Sequence, residues 1–134
     1  MRNYIALAAG ALIASSIIAT SAVRADLMTS VPSSALTVTD WYKQDVYDQS
    51  NNKIGQIKDV LLGQDGQVHA LIIGVGGFLG AGEKDVAVSF NTVKATMKDN
   101  KVQLSMNTTK DALKAAPGFK YDRDKNAWVP DTSK

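Results

Sequence analysis

The chain of 134 residues contains no cysteine. This absence excludes disulfide bonds, thiolate metal sites, iron–sulfur clusters and thiol catalysis, and also a lipid attached through an N-terminal cysteine. The sequence has a single histidine, His69. No aspartate or glutamate lies at a diagnostic metal-site spacing from it. We therefore predict that the protein holds no metal and no cofactor.

Catalytic sequence patterns are also missing. No serine lies in a nucleophile elbow, and the segment Asp48–Asn52 lacks the glycine and the final glutamate of a calcium loop. We predict no catalytic residues and a protein that is not an enzyme. A hydrolase built on His69 and a serine is the least favoured alternative.

The first 25 residues have the layout of a secretory signal peptide. Arg2 is followed by an apolar stretch, and small residues flank a cleavage position after Ala25. This pattern predicts a periplasmic or secreted protein that is not inserted in the membrane after cleavage. The alternative is a retained anchor, because the uncharged run from Asn3 to Val23 is just long enough to span a bilayer.

The excess of positive charge belongs to this segment. The whole chain has 15 basic and 13 acidic residues. Removal of residues 1–25 takes away Arg2 and Arg24 and no acid, which leaves 13 of each sign. We therefore predict no nucleic-acid binding, since that requires clustered positive charge.

The rest of the chain predicts one small domain that is mainly β. Residues 26–37 form a flexible leader, and Trp41 and Tyr42 mark the start of the domain, because aromatic side chains favour burial. The β-rich domain spans residues 38–107, and residues 108–134 form a short C-terminal helix and a polar tail. The predicted strands are Lys53–Leu62, Val68–Val75, Asp85–Phe90, Thr92–Met97 and Val102–Met106, and the helix is Thr108–Ala116.

Two turns carry the strongest local signals. Asp65-Gly66 predicts a tight hairpin with positive φ at both central residues. Gly74–Gly80 resembles a dinucleotide-binding loop in part, but Leu79 occupies the position of its third glycine and strand formers follow instead of a helix. We therefore favour a structural loop. Phe78 and Leu79 at its tip either fold inward, which we favour, or point outward as a docking tip.

Several stretches together resemble the PRC-barrel family, named after the photosynthetic reaction centre, whose H subunit carries the fold. They are Asp45–Asp48, Lys53–Leu62, Asp65-Gly66 and Gly74–Val88. The likeness covers about residues 38 to 97 and is closest to small exported bacterial members. It implies a small PRC-type β-barrel and a role in binding or assembly. Gly63 departs from the family pattern, which often has an acidic residue there.

The resemblance also suggests which positions matter. The positions with an expected structural role are Gly55, Asp59, Asp65, Gly66, Gly74 and Gly82. The residues that we assign to partner binding are Gly76, Gly77, Phe78, Leu79 and Gly80. The expected partner is an envelope protein or a second copy of the chain. The alternative is a small ligand carried in the barrel mouth.

Overall fold

A computed structural model describes residues 10, 13, 15, 25–76 and 82–133. The chain divides into two compact units, Met1–Ser33 and Ser34–Lys134. In the first unit, residues 25–33 are exposed and form neither helix nor strand. The predicted signal segment lies almost wholly outside the described residues. Within the described part of the chain, no helix is both long enough and apolar enough to cross a membrane.

Within its described residues, the second unit contains eight strands, one α-helix and two 3-10 helices. The strands are β1 Asp45–Tyr47, β2 Lys53–Leu62, β3 Val68–Val75, β4 Lys84–Ser89, β5 Val93–Lys98, β6 Lys101–Met106, β7 Phe119–Asp122 and β8 Ala127–Pro130. The α-helix, α1, spans Lys110–Ala115, and the 3-10 helices span Val38–Asp40 and Phe90–Thr92. The prediction that the protein is mainly β is confirmed.

All eight strands belong to one sheet, in the order β5-β6-β1-β2-β3-β4-β7-β8. Neighbouring strands are antiparallel except β1 and β6, which are parallel. The long connection between β1 and β6 makes this parallel pairing possible. Among the described strands, no pairing joins β5 to β8, so the hydrogen-bonded ladder is an open sheet, and the closed barrel expected from the sequence is not seen in it.

One apolar core collects side chains from β1 to β6, from α1 and from the chain before β1. Its buried members are Trp41, Val46, Ile54, Ile57, Leu71, Ile73, Val75, Val86, Val93, Leu104, Met106 and Leu113. Burial of apolar surface of this kind stabilises a fold by roughly 25 cal/mol per Å². Trp41 is buried as predicted, but Tyr42 is exposed, with Lys43 Nζ 5.3 Å from its ring centroid.

Strand β2 is long and irregular, which explains why its apolar residues do not alternate. Ile54 has no partner on β1, since Val46 pairs with Gly55 and Tyr47 with Lys53. A second irregularity, at Lys58, occurs in the pairing with β3. Each β-bulge shifts the side chains that follow it to the other face. Gly55, for which the sequence predicts a structural role, therefore lies next to an irregularity in the ladder.

The hairpin between β2 and β3 corrects one expectation. Gly66 has φ of 79°, but Asp65 does not have a positive φ. The Gly66 amide donates to the Gly63 carbonyl, and the Gly63 amide donates to the Gln67 carbonyl. This is a three-residue loop with a bulge at the left-handed glycine, so the prediction of positive φ at both central residues is wrong.

The end of the chain contains structure that the sequence reasoning missed. The predicted helix is present as α1, with Thr109 Oγ1 accepting from the Ala112 amide. The tail after it forms the hairpin β7–β8, in which Tyr121 pairs with Trp128 and their rings meet edge to face at 5.7 Å. Asn126, with φ of 49°, allows the tight connection. The alternating Phe119, Tyr121 and Trp128 around a polar turn were the signal for it.

Candidate functional site

An apolar pocket lies between the first 3-10 helix and the sheet. Its cavity volume is about 150 Å³. The lining residues are Leu36, Thr37, Val38, Trp41, Val60, Val68 and Phe90. Six of these seven side chains are apolar, so the pocket selects an apolar group.

Local hydrogen bonds hold the outer wall of this pocket in place. Thr37 and Asp40 form a reciprocal capping box at the 3-10 helix Val38–Asp40. Further along, the Lys43 amide donates to the Ile57 carbonyl and the Ile57 amide donates to the Gln44 carbonyl. The segment is therefore anchored at a capped turn and again on β2.

The floor of the pocket is aromatic. The rings of Trp41 and Phe90 lie 4.9 Å apart at an interplanar angle of 38°. Trp41 is 8 % exposed, whereas Val38 on the rim is 60 % exposed and Leu36 is 47 % exposed. The pocket thus combines a fixed buried base with an exposed apolar rim, an arrangement typical of protein-binding pockets.

The size of the cavity limits what it accepts. Pockets for small ligands and cofactors measure roughly 300–1,000 Å³. The cavity beside Trp41, at about 150 Å³, is well below that range. It has room for an apolar side chain of a partner, but not for a drug-sized molecule.

Two of the predicted site residues, Gly74 and Gly76, lie at the base of the loop Gly74–Gly80, which we call the glycine loop. Lys58 Nζ lies 3.2 Å from Glu83 Oε1, directly over Gly74, where an added Cβ would collide with both side chains. A Cβ on Gly76 would lie 3.1 Å from Lys114 Cε. An added Cβ at Gly74 or Gly76 would therefore have to displace the flexible end of a long side chain, and Gly76 has in addition a φ of 77°, which favours glycine. The predicted partner-binding residues Gly77, Phe78, Leu79 and Gly80 lie outside the described residues.

Lys84 joins this region to the helix. Its Nζ donates at 2.6 Å to the carbonyl of Lys114 and at 2.6 Å to that of Ala116. These carbonyls lie at the C-terminal end of α1, where the backbone has unpaired acceptors and a cation is favourable. The start of β4, just after Gly82, is thereby tied to α1. Gly82 itself has φ of 72°, as a turn glycine.

The hairpin residues Asp65 and His69 form an exposed pair. His69 Nε2 lies 2.9 Å from Asp65 Oδ1 and 3.0 Å from Oδ2. The pKa of Asp65 is lowered, first by the backbone N–H of Gln67 and then by the His69 side chain. A Cβ at Gly63 would collide with the His69 ring, so this glycine leaves room for the pair. Within the described residues, no group of three or more His, Asp or Glu side chains could hold a metal ion.

The remaining positions with a predicted structural role, Gly55 and Asp59, lie in β2 and do not line the pocket. Gly55 packs so closely on β3 that an added Cβ would lie 2.5 Å from Ile73 Cγ2 and 2.9 Å from the Gly74 carbonyl oxygen. Asp59 Oδ2 accepts a hydrogen bond from Trp128 Nε1. Sequence reasoning placed no site at the Trp41–Phe90 pocket, because its walls come from segments about 50 positions apart.

The protein is thus a small, mainly β domain with an apolar pocket that has room for one side chain. The family model described as PRC-barrel domain matches residues 34–113. The chain therefore belongs to the PRC-barrel family, as its motifs suggested. None of the curated proteins compared with the chain matches it.

Proposed function

We propose that this chain is an exported, non-enzymatic PRC-barrel protein that binds a partner protein in the bacterial envelope. The observation that carries the proposal is the pocket floored by Trp41 and Phe90, which has the size and lining expected for one apolar side chain of a partner. The signal-like pattern of residues 1–25 supports the compartment. The loop Gly76–Gly80, with Phe78 and Leu79, is proposed as a second contact.

The proposal includes a barrel of the PRC type. Membership of the family supports it, and so does the single core that receives side chains from six successive strands. The C-terminal hairpin β7–β8 lies after the matched segment and is an addition to that barrel.

A cross-linking experiment in the native host tests the proposal. A photoreactive phenylalanine analogue replaces Val38 on the rim, and cells are illuminated before the envelope is isolated. We expect one reproducible adduct of polypeptide mass. Filling the pocket with Val68→Trp should abolish this adduct, because the incoming side chain then has no cavity.

A matched variant separates pocket filling from the addition of bulk. Lys120→Trp adds the same side chain at an exposed position of β7, and this variant should keep the adduct. Native mass spectrometry of the protein purified from its host supplies a second readout. Extra mass of small-molecule size, with no polypeptide adduct at Val38, would contradict partner binding and favour a ligand carrier.

A further inference from the structure

The sheet has two terminal strands, and they differ in their capacity to accept another strand. β8 has four residues and ends at Pro130, which has no backbone N–H to donate. β5 has six residues, Val93–Lys98, and contains no proline. Edge amides and carbonyls of this kind accept an added strand by continuing the ladder. β5 is therefore the edge that is suited to strand addition.

The side chains of β5 divide into two chemically distinct rows. Lys94, Thr96 and Lys98 are exposed and lie on one face. On the other face, Val93 is buried, Ala95 is half-buried and Met97 is 64 % exposed. An added strand would meet lysines on one side and apolar groups on the other, because directly opposed residues share a face.

The lysine row continues onto the neighbouring strand. Lys98 pairs with Lys101 of β6, and both are exposed. Lys53 is already neutralised by Asp45, with 3.0 Å between Nζ and Oδ1, and Asp99 lies in the turn between β5 and β6. Lys94, Lys98 and Lys101 therefore outnumber Asp99, and this end of the sheet is positive. Residues 26–134 as a whole carry no net charge. The patch thus attracts an acidic partner.

The same charges disfavour a second copy of the chain. In a symmetric antiparallel pairing of two β5 strands centred on Thr96, Lys94 of one copy lies opposite Lys98 of the other. Like charges directly opposite each other destabilise a strand pair. Lysines on an edge strand commonly protect it from self-pairing in this way.

We propose that β5 binds an extended acidic segment of a partner protein by strand addition, with acidic side chains alternating with apolar ones. The acidic row faces Lys94 and Lys98, and the apolar row covers Ala95 and Met97. The inference rests on the proposed function and names the chemistry of the partner. An anionic membrane surface shares the charge of such a segment but offers no backbone to the edge.

A binding assay with a defined probe tests the charge requirement. The probe is a fluorescein-labelled peptide of alternating valine and glutamate, titrated with protein purified from its own host and followed by fluorescence anisotropy. Lys94→Glu with Lys98→Glu should weaken binding at least about tenfold. The matched control, Lys120→Glu with Lys125→Glu in the β7–β8 hairpin, makes the same change in net charge and should stay within about twofold.

Backbone pairing is tested separately. Amide hydrogen exchange of residues 93–98 should slow when the peptide is bound. Two further peptides carry N-methyl groups on alternate residues, so that each peptide has the amides of one edge blocked. Strand addition uses a single edge of the peptide, so only one of the two methylated peptides should lose binding. Peptide binding without slower exchange, or equal loss with both methylated peptides, would overturn strand addition.

The remaining outcomes distinguish this inference from the proposed function. If the Lys94→Glu, Lys98→Glu variant binds the probe as well as its control does, the assignment of β5 is overturned. If the adduct at Val38 still forms in that case, the proposed function stands. If no adduct forms at Val38 but the peptide probe still binds, the pocket is rejected as a partner site and the assignment of β5 stands. Binding to vesicles of equal parts phosphatidylcholine and phosphatidylglycerol, with no binding to the peptide, assigns the lysine row to a membrane surface and overturns the proposal.

Discussion

Trp128 Nε1 donates a hydrogen bond of 2.7 Å to Asp59 Oδ2, across 69 positions of the sequence. Asp59 lies directly opposite Ile72 on β3, and the Ile72 side chain is fully buried although it is not part of the main core cluster. Since opposed residues share a face of the sheet, Trp128 lies on the second face of β3, beside Ile72. The C-terminal hairpin is therefore held on the sheet by a polar bond as well as by strand pairing.

We expect Trp128→Phe to lower the free energy of unfolding by about 1–2 kcal/mol, because a hydrogen bond to a charged acceptor is lost while an aromatic ring remains. Urea denaturation measures the change. Asp59→Asn retains an acceptor oxygen and should cost less than Asp59→Ala. Equal stability of Asp59→Ala and the wild type would show that the bond does not secure the hairpin.

The two close-packed glycines should differ in their tolerance of alanine. At Gly55 a Cβ meets the Ile73 methyl and the backbone carbonyl of Gly74, neither of which is free to move. At Gly74 it meets the ends of Glu83 and Lys58, which are flexible. We expect Gly55→Ala to cost about 2–3 kcal/mol and Gly74→Ala about 1 kcal/mol or less. Thermal denaturation of both variants checks the order, which would be wrong if Gly74→Ala were the more damaging.

The hairpin carboxylate gives stability a defined dependence on pH. The pKa of Asp65 lies below its ordinary value of 3.8, so the ionised group stabilises the folded state. This contribution is complete above pH 3.8 and is lost as the pH falls through the lowered pKa. The difference in melting temperature between wild type and Asp65→Asn should therefore stay constant from neutral pH down to about pH 3.8 and shrink only below it.

Two variants serve as controls for this pH dependence. The pKa of Asp48 is also lowered, chiefly by the backbone N–H of Asn52, so Asp48→Asn should show the same trend independently. His69→Ala should keep most of the effect at Asp65, because the Gln67 amide is the larger cause. A constant difference between wild type and Asp65→Asn at all pH values would contradict the assignment.

The predicted role of the glycine loop in partner binding is tested by substitution of its two apolar residues. Phe78→Ser with Leu79→Ser should abolish partner capture, scored as the Val38 adduct, without lowering the melting temperature. This result corresponds to the outward alternative for Phe78 and Leu79, in which the apolar side chains contribute to binding rather than to folding. A large fall in melting temperature would instead support the inward position that the sequence favours. Persistent capture with unchanged stability would remove the loop from the site.

Local sequence patterns predicted those features that depend on neighbouring residues. Strict alternation predicted β6, and runs rich in isoleucine, valine and leucine predicted β2 and β3. Two threonines followed by helix formers predicted α1, and the structure shows that Thr109 is the cap. The motif set around Lys53–Leu62 predicted the family. The turn at Asp65-Gly66 was placed correctly but given the wrong geometry, because the dipeptide is compatible with two loop lengths.

The candidate site depended on contacts that no local pattern contains. Trp41 and Phe90 form the pocket floor from segments that lie far apart in the sequence, and β5 becomes a sheet edge only because β6 pairs with β1. The tail resembled a loop because each of its strands has only four residues.

The sequence by itself determined the strand-rich composition, the family, the export-like first segment and the capped helix, since these follow from residue types at short spacing. Only the tertiary structure decided the strand order, the two bulges of β2, the docking of Trp128 on Asp59 and the pocket beside Trp41. Pairing between distant strands is selected by the burial of whole faces, and that burial is a property of the assembled sheet rather than of any single segment.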